Sequence, residues 1–328
     1  MIVEVADPSQ VSVARRAASD AARACGFDEE RAGRVALVAT ELATNLVKHA
    51  PGGELVIDTY ADSSGSGIEL LALDKGGGIA DVGRAFEDGT STAGSPGTGL
   101  GAIRRQADQL HVFTRPNLGT AIVARIGNSV RPNAGDSAVL GAVALPVSGE
   151  LVSGDRWAFT RSSKGLTVVV ADGSGHGPAA GTAAQAALRT FQTRAEDECT
   201  EILAQMHREL APTRGAAVAV ARVDPEARVV RFVGVGNIAG AVVAPDGSVR
   251  RMVSHNGTVG HIAARIREFT YPWSAGSLVL MHSDGLSAKW DLAAYPGLAA
   301  SHPSLIAGVL FRDFRRKNDD ATVVAMRV

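Results

Sequence analysis

The chain has 328 residues, enough for two ordinary cores, and its 45% hydrophobic and 20% charged residues are the composition of a folded globular protein. A formal net charge of -1 supplies no field to hold polyanions, so nucleic acid and anionic membrane surfaces are not expected partners. The longest apolar stretch, Ser137 to Val147, contains Gly and Pro and falls far short of the roughly 20 residues a spanning helix needs, so it reads as a buried strand. The N-terminus MIVEVADPSQ shows no basic segment ahead of an apolar core, and Cys25 and Cys199 are the only cysteines; a cytoplasmic location is expected.

Pro8 to Cys25 and Asp28 to Ala50 carry apolar residues at helical spacing, with Asp28 a cap for the second, so the first quarter is predicted helical. GELVIDTY and GIELLALD follow as β-rich runs around a Ser/Gly turn. A long Gly/Ser/Thr loop, a helix near Ala102 to Leu110 and the strands HVFTR and TAIVARI come next, which predicts helices layered on a mixed sheet. The polar stretch Asn128 to Asp136, with Pro and Gly, reads as a linker between two domains, 1–128 and 137–328, with 129–136 between them. Beyond it, strands are predicted around Val139 to Val147 and Leu166 to Ala171, and helices over Pro178 to Arg194 and Glu198 to Leu210. The runs GAAVAVARVD, RVVRFVGVGN, GAVVAPDGSVRRMV and SLVLMHSD, then a helix SLIAGVLFRDF and a strand ATVVAMRV, complete an α+β order with helices flanking packed antiparallel sheets.

Two constellations carry chemistry. In ELATNLVKHA, Glu41, Asn45 and Lys48 share one helical face, opposite much of the apolar set Val35, Val38, Leu42 and Leu46. GIELLALD ends in DKGGGI, an acid at a strand end followed by glycines that let a ligand approach the backbone. GTGLG, Gly97 to Gly101, opens a helix whose free N–H groups suit phosphates. Each piece alone also fits a solvated face or a turn. The GxxxxGK[ST] loop is absent, and GTGLG follows a loop rather than the strand a dinucleotide fold requires.

In this order the three pieces resemble the ATPase family shared by histidine kinases, gyrase and the anti-sigma-factor kinases, over about Val11 to Ile126. Glu41, Asn45 and Lys48 match its first box, Asp74, Gly76 and Gly78 its second, Gly97, Thr98, Gly99, Leu100 and Gly101 its third, and Gly119-Thr120 its closing strand. The resemblance implies a GHKL-type α/β sandwich that binds ATP with Mg. It further implies that Asn45 ligates Mg²⁺, that Asp74 accepts from the adenine amino group with support from Thr120, and that Glu41 is the base. DGTSTAGSPGTGLGAIRRQAD looks like the stress-response serine kinases, and no helix pair carrying an acceptor His, as a histidine kinase needs, is seen ahead of it. Lys75 and Gly77 stand where relatives often differ.

Asp155, Asp172, Asp284 and Asp319 lie in SGDRW, VVVADGSGHG, VLMHSDG and KNDDAT, each at a strand end or tight turn. Any one of them fits a hairpin. Together, acids at the ends of apolar strands favour coordination of a hard cation, Mg²⁺ or Mn²⁺. Their order resembles the SpoIIE-like branch of the metal-dependent PPM phosphatases over about Ser137 to Val328, which implies a PPM-type α/β/β/α sandwich holding two Mn or Mg ions. By that resemblance Asp172 bridges the metals and is catalytic, the Gly173 carbonyl binds one, Asp284 and Asp319 hold the other, and Asp155 assists from outside. Ser174 stands where eukaryotic members have an acid histidine, and no phosphate-binding Arg precedes Asp155; His176 is the nearest replacement acid, and a surface histidine fits equally. Asn237 and Asn256-Gly257 look like substrate-side loops, or turns.

The two resemblances imply a partner-switching regulator that phosphorylates and dephosphorylates Ser or Thr of a STAS-domain anti-anti-sigma or stressosome protein, with a sigma factor as a further partner. The alternative is a nucleotide-gated STAS- or sigma-factor-binding module fused to an active phosphatase, without kinase turnover. The oligomeric state stays open.

Overall fold

The computed structural model describes residues 1–50, 52–62, 65–86, 99–128, 139–262 and 265–327. They form two compact units, residues 1–141 with 295–312, and residues 142–294 with 313–328.

The first unit opens with a short strand, β1 (Ile2–Val5), ahead of the two expected helices, α1 (Pro8–Ala24) and α2 (Glu29–His49). Each helix starts at an aspartate cap. Asp7 accepts from Ser9 N and Asp28 from Arg31 N, which satisfies donors that the first turn cannot pair internally. Then follow β2 (Gly53–Asp62), β3 (Gly65–Leu73), one turn of helix α3 (Val82–Ala85), α4 (Gly99–Gln106), β4 (Gln109–Thr114) and β5 (Thr120–Gly127). The strands make one antiparallel sheet in the order β1-β2-β3-β5-β4. Val35, Val38, Leu42 and Leu46 of α2 are buried with Leu55, Ile57, Ile68 and Leu70 of the sheet, so the helical face read as apolar is the one that packs.

The helix expected to reach Leu110 stops at Gln106, and Leu110 lies in β4. Arg34 Nη2 and Nε take up the Gln106 carbonyl, Arg34 pairs with Asp108 at 2.8 Å, and Asp108 N donates to Arg125 O. These contacts turn the chain into the strand two residues beyond the helix.

On the other sheet face, Arg125 and Glu69 oppose each other in register and form a buried pair, Nε to Oε2 2.6 Å, with Arg125 only 1% exposed. Ser304, in helix α7 (Pro303–Phe314), receives Arg125 Nη2 at 3.1 Å and donates to Glu69 at 2.7 Å. A Cβ on Gly308 of the same helix would lie 2.8 Å from Leu71 Cδ2 and 3.0 Å from Leu73 Cδ2, so the first part of α7 covers this face.

The second unit contains β6 (Val139–Leu145), whose first residues count with the first unit, and β7 (Asp155–Ser162), β8 (Gly165–Gly173), α5 (Gly177–Arg194) and α6 (Cys199–Glu209). It continues through β9 (Ala216–Asp224), β10 (Val229–Val235), β11 (Ala239–Val243), β12 (Val249–Met252), β13 (Phe269–Pro272), β14 (Leu278–His282) and, after α7, β15 (Ala321–Arg327). There are two five-stranded sheets, β13-β10-β9-β8-β7 and β12-β11-β14-β15-β6, with β7 against β15. Val169 and Ala171 of β8 pack with α5 and α6, while the alternate residues Val168 and Val170 are buried on the opposite face, so the sheet is covered on both sides. That alternation places Asp172 on the face away from the helices.

Candidate active sites

In the first unit, α2 presents Glu41 and Asn45 toward the start of α4. A Cβ at Gly99 would lie 3.2 Å from Asn45 Oδ1 and 3.6 Å from Glu41 Oε2, so the first glycine of the helix meets both side chains. Lys48 is exposed on the last turn of α2. Leu100 and Gly101 continue α4, and Gly97 and Thr98 lie outside the described residues.

Asp74 stands one residue past β3. Its Oδ1 accepts from Gly76 N at 2.8 Å and Thr120 N at 3.1 Å, and its own N–H donates to Thr120 O. Burial pushes the Asp74 carboxyl above its ordinary value, against the pull of those two N–H donors and the Arg312 charge. Gly119 explains the glycine before the closing strand: its φ is +72° and a Cβ there would fall 2.0 Å from the Asp74 carbonyl oxygen. Thr120 is buried, and its hydroxyl lies 3.1 Å from that of Thr114, which receives Ile79 N just after Gly78. Gly76, Gly78, Asp74 and Thr120 thus form one continuous wall. One contributor was not legible in the sequence: Arg312 Nη1 donates to the Asp74 carbonyl at 2.6 Å from more than two hundred positions away.

In the second unit, Asp155 and Asp172 are direct cross-strand partners in the β7–β8 ladder. Like charges placed opposite each other on a sheet repel. Asp284 follows β14 and Asp319 precedes β15, two neighbouring strands of the other sheet. The Asp172 carboxyl is pushed up to about 9, by burial first and then by Asp155, Asp284 and Asp319. Asp155 is likewise raised by burial, even though Ser283 Oγ donates to its Oδ2 at 2.5 Å, and its Oδ1 is buried with no hydrogen-bond partner among the described residues. Burial and Asp284 raise Asp319.

Asp320, its sequence neighbour, has a different job. It is buried and accepts Val147 N and Gly154 N, each at 2.7 Å, which pins the segment leading into Asp155. Gly173, which ends β8, has no room for a side chain, since a Cβ would meet the Ala180 carbonyl at 2.0 Å. Asn237 Nδ2 donates to Asp284 Oδ2 at 2.7 Å, a contact that its turn sequence alone did not separate from a hairpin. His176 pairs instead with Glu150, Nδ1 to Oε1 3.1 Å.

Among the described residues, no three His, Cys, Asp or Glu side chains already enclose a common metal position. The donor chemistry nevertheless fits a divalent pair. Oxygen-only carboxylates that lift one another's proton affinity, with one buried oxygen left unbonded, are an arrangement that hard cations neutralise.

Residues 162–328, just over half of the chain, match the family model of Stage II sporulation protein E. The chain belongs to the SpoIIE family. Ahead of that region this SpoIIE-family chain matches the histidine kinase-like ATPase domain over residues 5–126. It is 32% identical over 114 residues to the serine/threonine-protein kinase RsbT of Bacillus subtilis (strain 168), across 35% of this chain and 86% of RsbT. It is 24% identical over 143 residues to the phosphoserine phosphatase RsbX of the same organism, across 44% of this chain and 72% of RsbX. A solved chain from a study of the bacterial stressosome matches with TM-score 0.54 and 28% identity, over 58% of this chain and all of that one. RsbX in complex with magnesium matches with TM-score 0.52 and 22% identity over 58% of this chain and 94% of that chain, a likeness of fold. A kinase-like ATPase domain is therefore fused here to a PP2C-type phosphatase domain, in the α+β architecture read from the sequence. Among the described residues no helix is long and apolar enough to cross a membrane.

Proposed function

We propose that this SpoIIE-family chain is a two-way switch on a STAS-domain partner, phosphorylating a Ser or Thr hydroxyl with ATP in one unit and hydrolysing the resulting phosphoester in the other. The observation that carries this reading is that each unit holds its own polar constellation. Glu41 and Asn45 meet Gly99 in the first, and Asp155 stands in register with Asp172 in the second. RsbT and RsbX are named for the two opposed activities, and both resemble parts of this chain.

In the first unit Asp74 and Thr120 would hold the adenine, Asn45 the Mg²⁺, and the start of α4 the phosphates. Glu41, beside Asn45, would take the proton of the attacking hydroxyl as the γ-phosphoryl group passes to it and ADP leaves. In the second unit Asp172, the Gly173 carbonyl, Asp284 and Asp319 would hold two Mn or Mg ions, with Asp155 behind them. When bound, the ions supply neutralisation of the phosphoryl oxygens and activation of water. The chain's own part is positional: Asp320 fixes the approach to Asp155, Ser283 orients its carboxylate, and Asn237 orients Asp284.

The deciding experiment is incubation of a purified STAS partner with this protein, ATP and Mn²⁺, read by the partner's mass. Wild type should bring the phosphorylated partner to a steady level, Asp172→Asn should drive it toward completion, and Asn45→Ala should leave the partner unphosphorylated yet still dephosphorylate a prephosphorylated one. If neither wild type nor Asp172→Asn modifies the partner, kinase turnover is refuted, and a nucleotide-gated binding module becomes the better account.

A further inference from the structure

The turn after Asp172 is met by the loop between α6 and β9, which carries Arg214 next to its last residue, Gly215. Its backbone is held from several sides. Thr213 N and Oγ1 donate to Leu210 O at 2.9 and 2.7 Å, Gly215 N donates to Thr213 Oγ1 at 3.0 Å, and Ser174 N donates to Gly215 O at 3.0 Å. The ring of His261 lies 3.1 Å from Thr213 O, and a Cβ on Gly215 would fall 2.7 Å from His261 and Thr258.

The Arg214 side chain, by contrast, is exposed, and among the described residues no hydrogen bond or ion pair engages it. Its Nη1 lies 3.3 Å from where a Cβ of Gly175 would stand, over the turn that begins at Asp172. A backbone held from several sides therefore carries a guanidinium with its donors available over the Gly175 turn, three residues past Asp172. Two other side chains near this turn are engaged: the His176 ring pairs with Glu150, and Arg156 donates to the carbonyls of Ser153 and Asp155.

Metal ions held by Asp172, Asp284 and Asp319 would neutralise the phosphoryl oxygens nearest them, and a cation at the rim would hold the outer oxygens. The guanidinium fork matches two such oxygens at once, where a lysine offers a point charge. We infer that Arg214 binds the phosphoryl group of the phosphoserine or phosphothreonine substrate and holds it over the Asp172 turn. This assigns to the α6–β9 loop the anchoring role for which no arginine precedes Asp155 in the sequence, and it rests on the phosphatase reading above.

The test uses the full chain with Mn²⁺ and a phosphoserine peptide, comparing wild type with Arg214→Ala, Arg214→Gln and Arg214→Lys. Loss of a charge-assisted pair should raise KM about tenfold or more and weaken inhibition by inorganic phosphate to a similar degree, with kcat changed less. Arg214→Lys should recover part of the affinity. Mn²⁺ affinity by calorimetry and the thermal midpoint should stay at wild-type values, which a merely structural role would not allow. If Arg214→Ala and Arg214→Gln keep KM and phosphate inhibition within twofold while wild type turns over, the inference falls and the phosphatase reading stands. If wild type itself leaves the peptide intact with Mn²⁺, the phosphatase reading fails and takes the inference with it.

Discussion

Asp74 uses a single carboxylate oxygen for its structural duty. Both backbone donors go to Oδ1, which fixes the rotamer, and Oδ2 makes no hydrogen bond among the described residues. Replacing it by Asn keeps the shape and removes the charge, so ATP affinity measured by calorimetry should fall about tenfold or more, the worth of a hydrogen bond to a charged group. Unchanged affinity in a folded Asp74→Asn protein would remove it from the adenine site. Asp172 makes the opposite bargain between stability and function. Burial and the acids around it make the Asp172 carboxyl costly to ionise without metal, so Asp172→Asn should raise metal-free stability at neutral pH while phosphoester hydrolysis drops more than a hundredfold. A thermal melt in the absence of divalent ions checks the first half of that expectation; a lower midpoint for the mutant would mean that the carboxyl carries no such cost. Part of this was legible in the sequence, because acids ending apolar strands stand out. The cross-strand register of Asp155 with Asp172 and the division of labour between Asp319 and Asp320 were not, since two adjacent aspartates in KNDDAT carry the same local signal.

At the scale of elements, periodicity and caps did most of the work. Asp28 and the apolar set Val35, Val38, Leu42 and Leu46 placed α2 to within a residue of its observed ends, and the alternating and all-apolar runs marked β2, β3, β8 and β9. The misses have physical causes. β1 has four residues and takes its stability from pairing with β2, a long-range contact that no local pattern announces. The helix α4 ends early because Arg34, far upstream, captures its last carbonyl. Capping energies are local and can be isolated: the side chain of Asp7 satisfies Ser9 N, and Gln10 reaches back to the cap's own N–H. Asp7→Ala should therefore lower the denaturant unfolding midpoint and leave ATP affinity at its wild-type value. A change in ATP affinity would show that α1 communicates with the nucleotide site.

For the whole molecule, the proposed metal site links stability to divalent ions. Mn²⁺ should raise the thermal midpoint of the full chain in proportion to the logarithm of its concentration above Kd, and EDTA should abolish phosphoester hydrolysis, with activity restored by added Mn²⁺. Turnover that persists in excess chelator would mean that the four acids do not hold metal. The helix SLIAGVLFRDF was visible in the sequence as a helix, but its company was not, since nothing local says which sheet a short helix will cover. Every residue from Pro303 to Arg312 is buried, and this stretch counts with the first unit, where Ser304 meets the Glu69–Arg125 pair and Gly308 meets Leu71 and Leu73. The reading frame and the folded unit are therefore out of step. A ribosome that has finished the ATPase-like sequence has not finished the unit that contains it, and Leu71 and Leu73 must wait for some 180 further residues before their cover emerges. A chain ending after residue 128 would lack the segment that covers Leu71 and Leu73 and would leave one apolar face of the sheet exposed. Joining the two modules in one polypeptide therefore ties completion of the first unit to translation of residues 295–312.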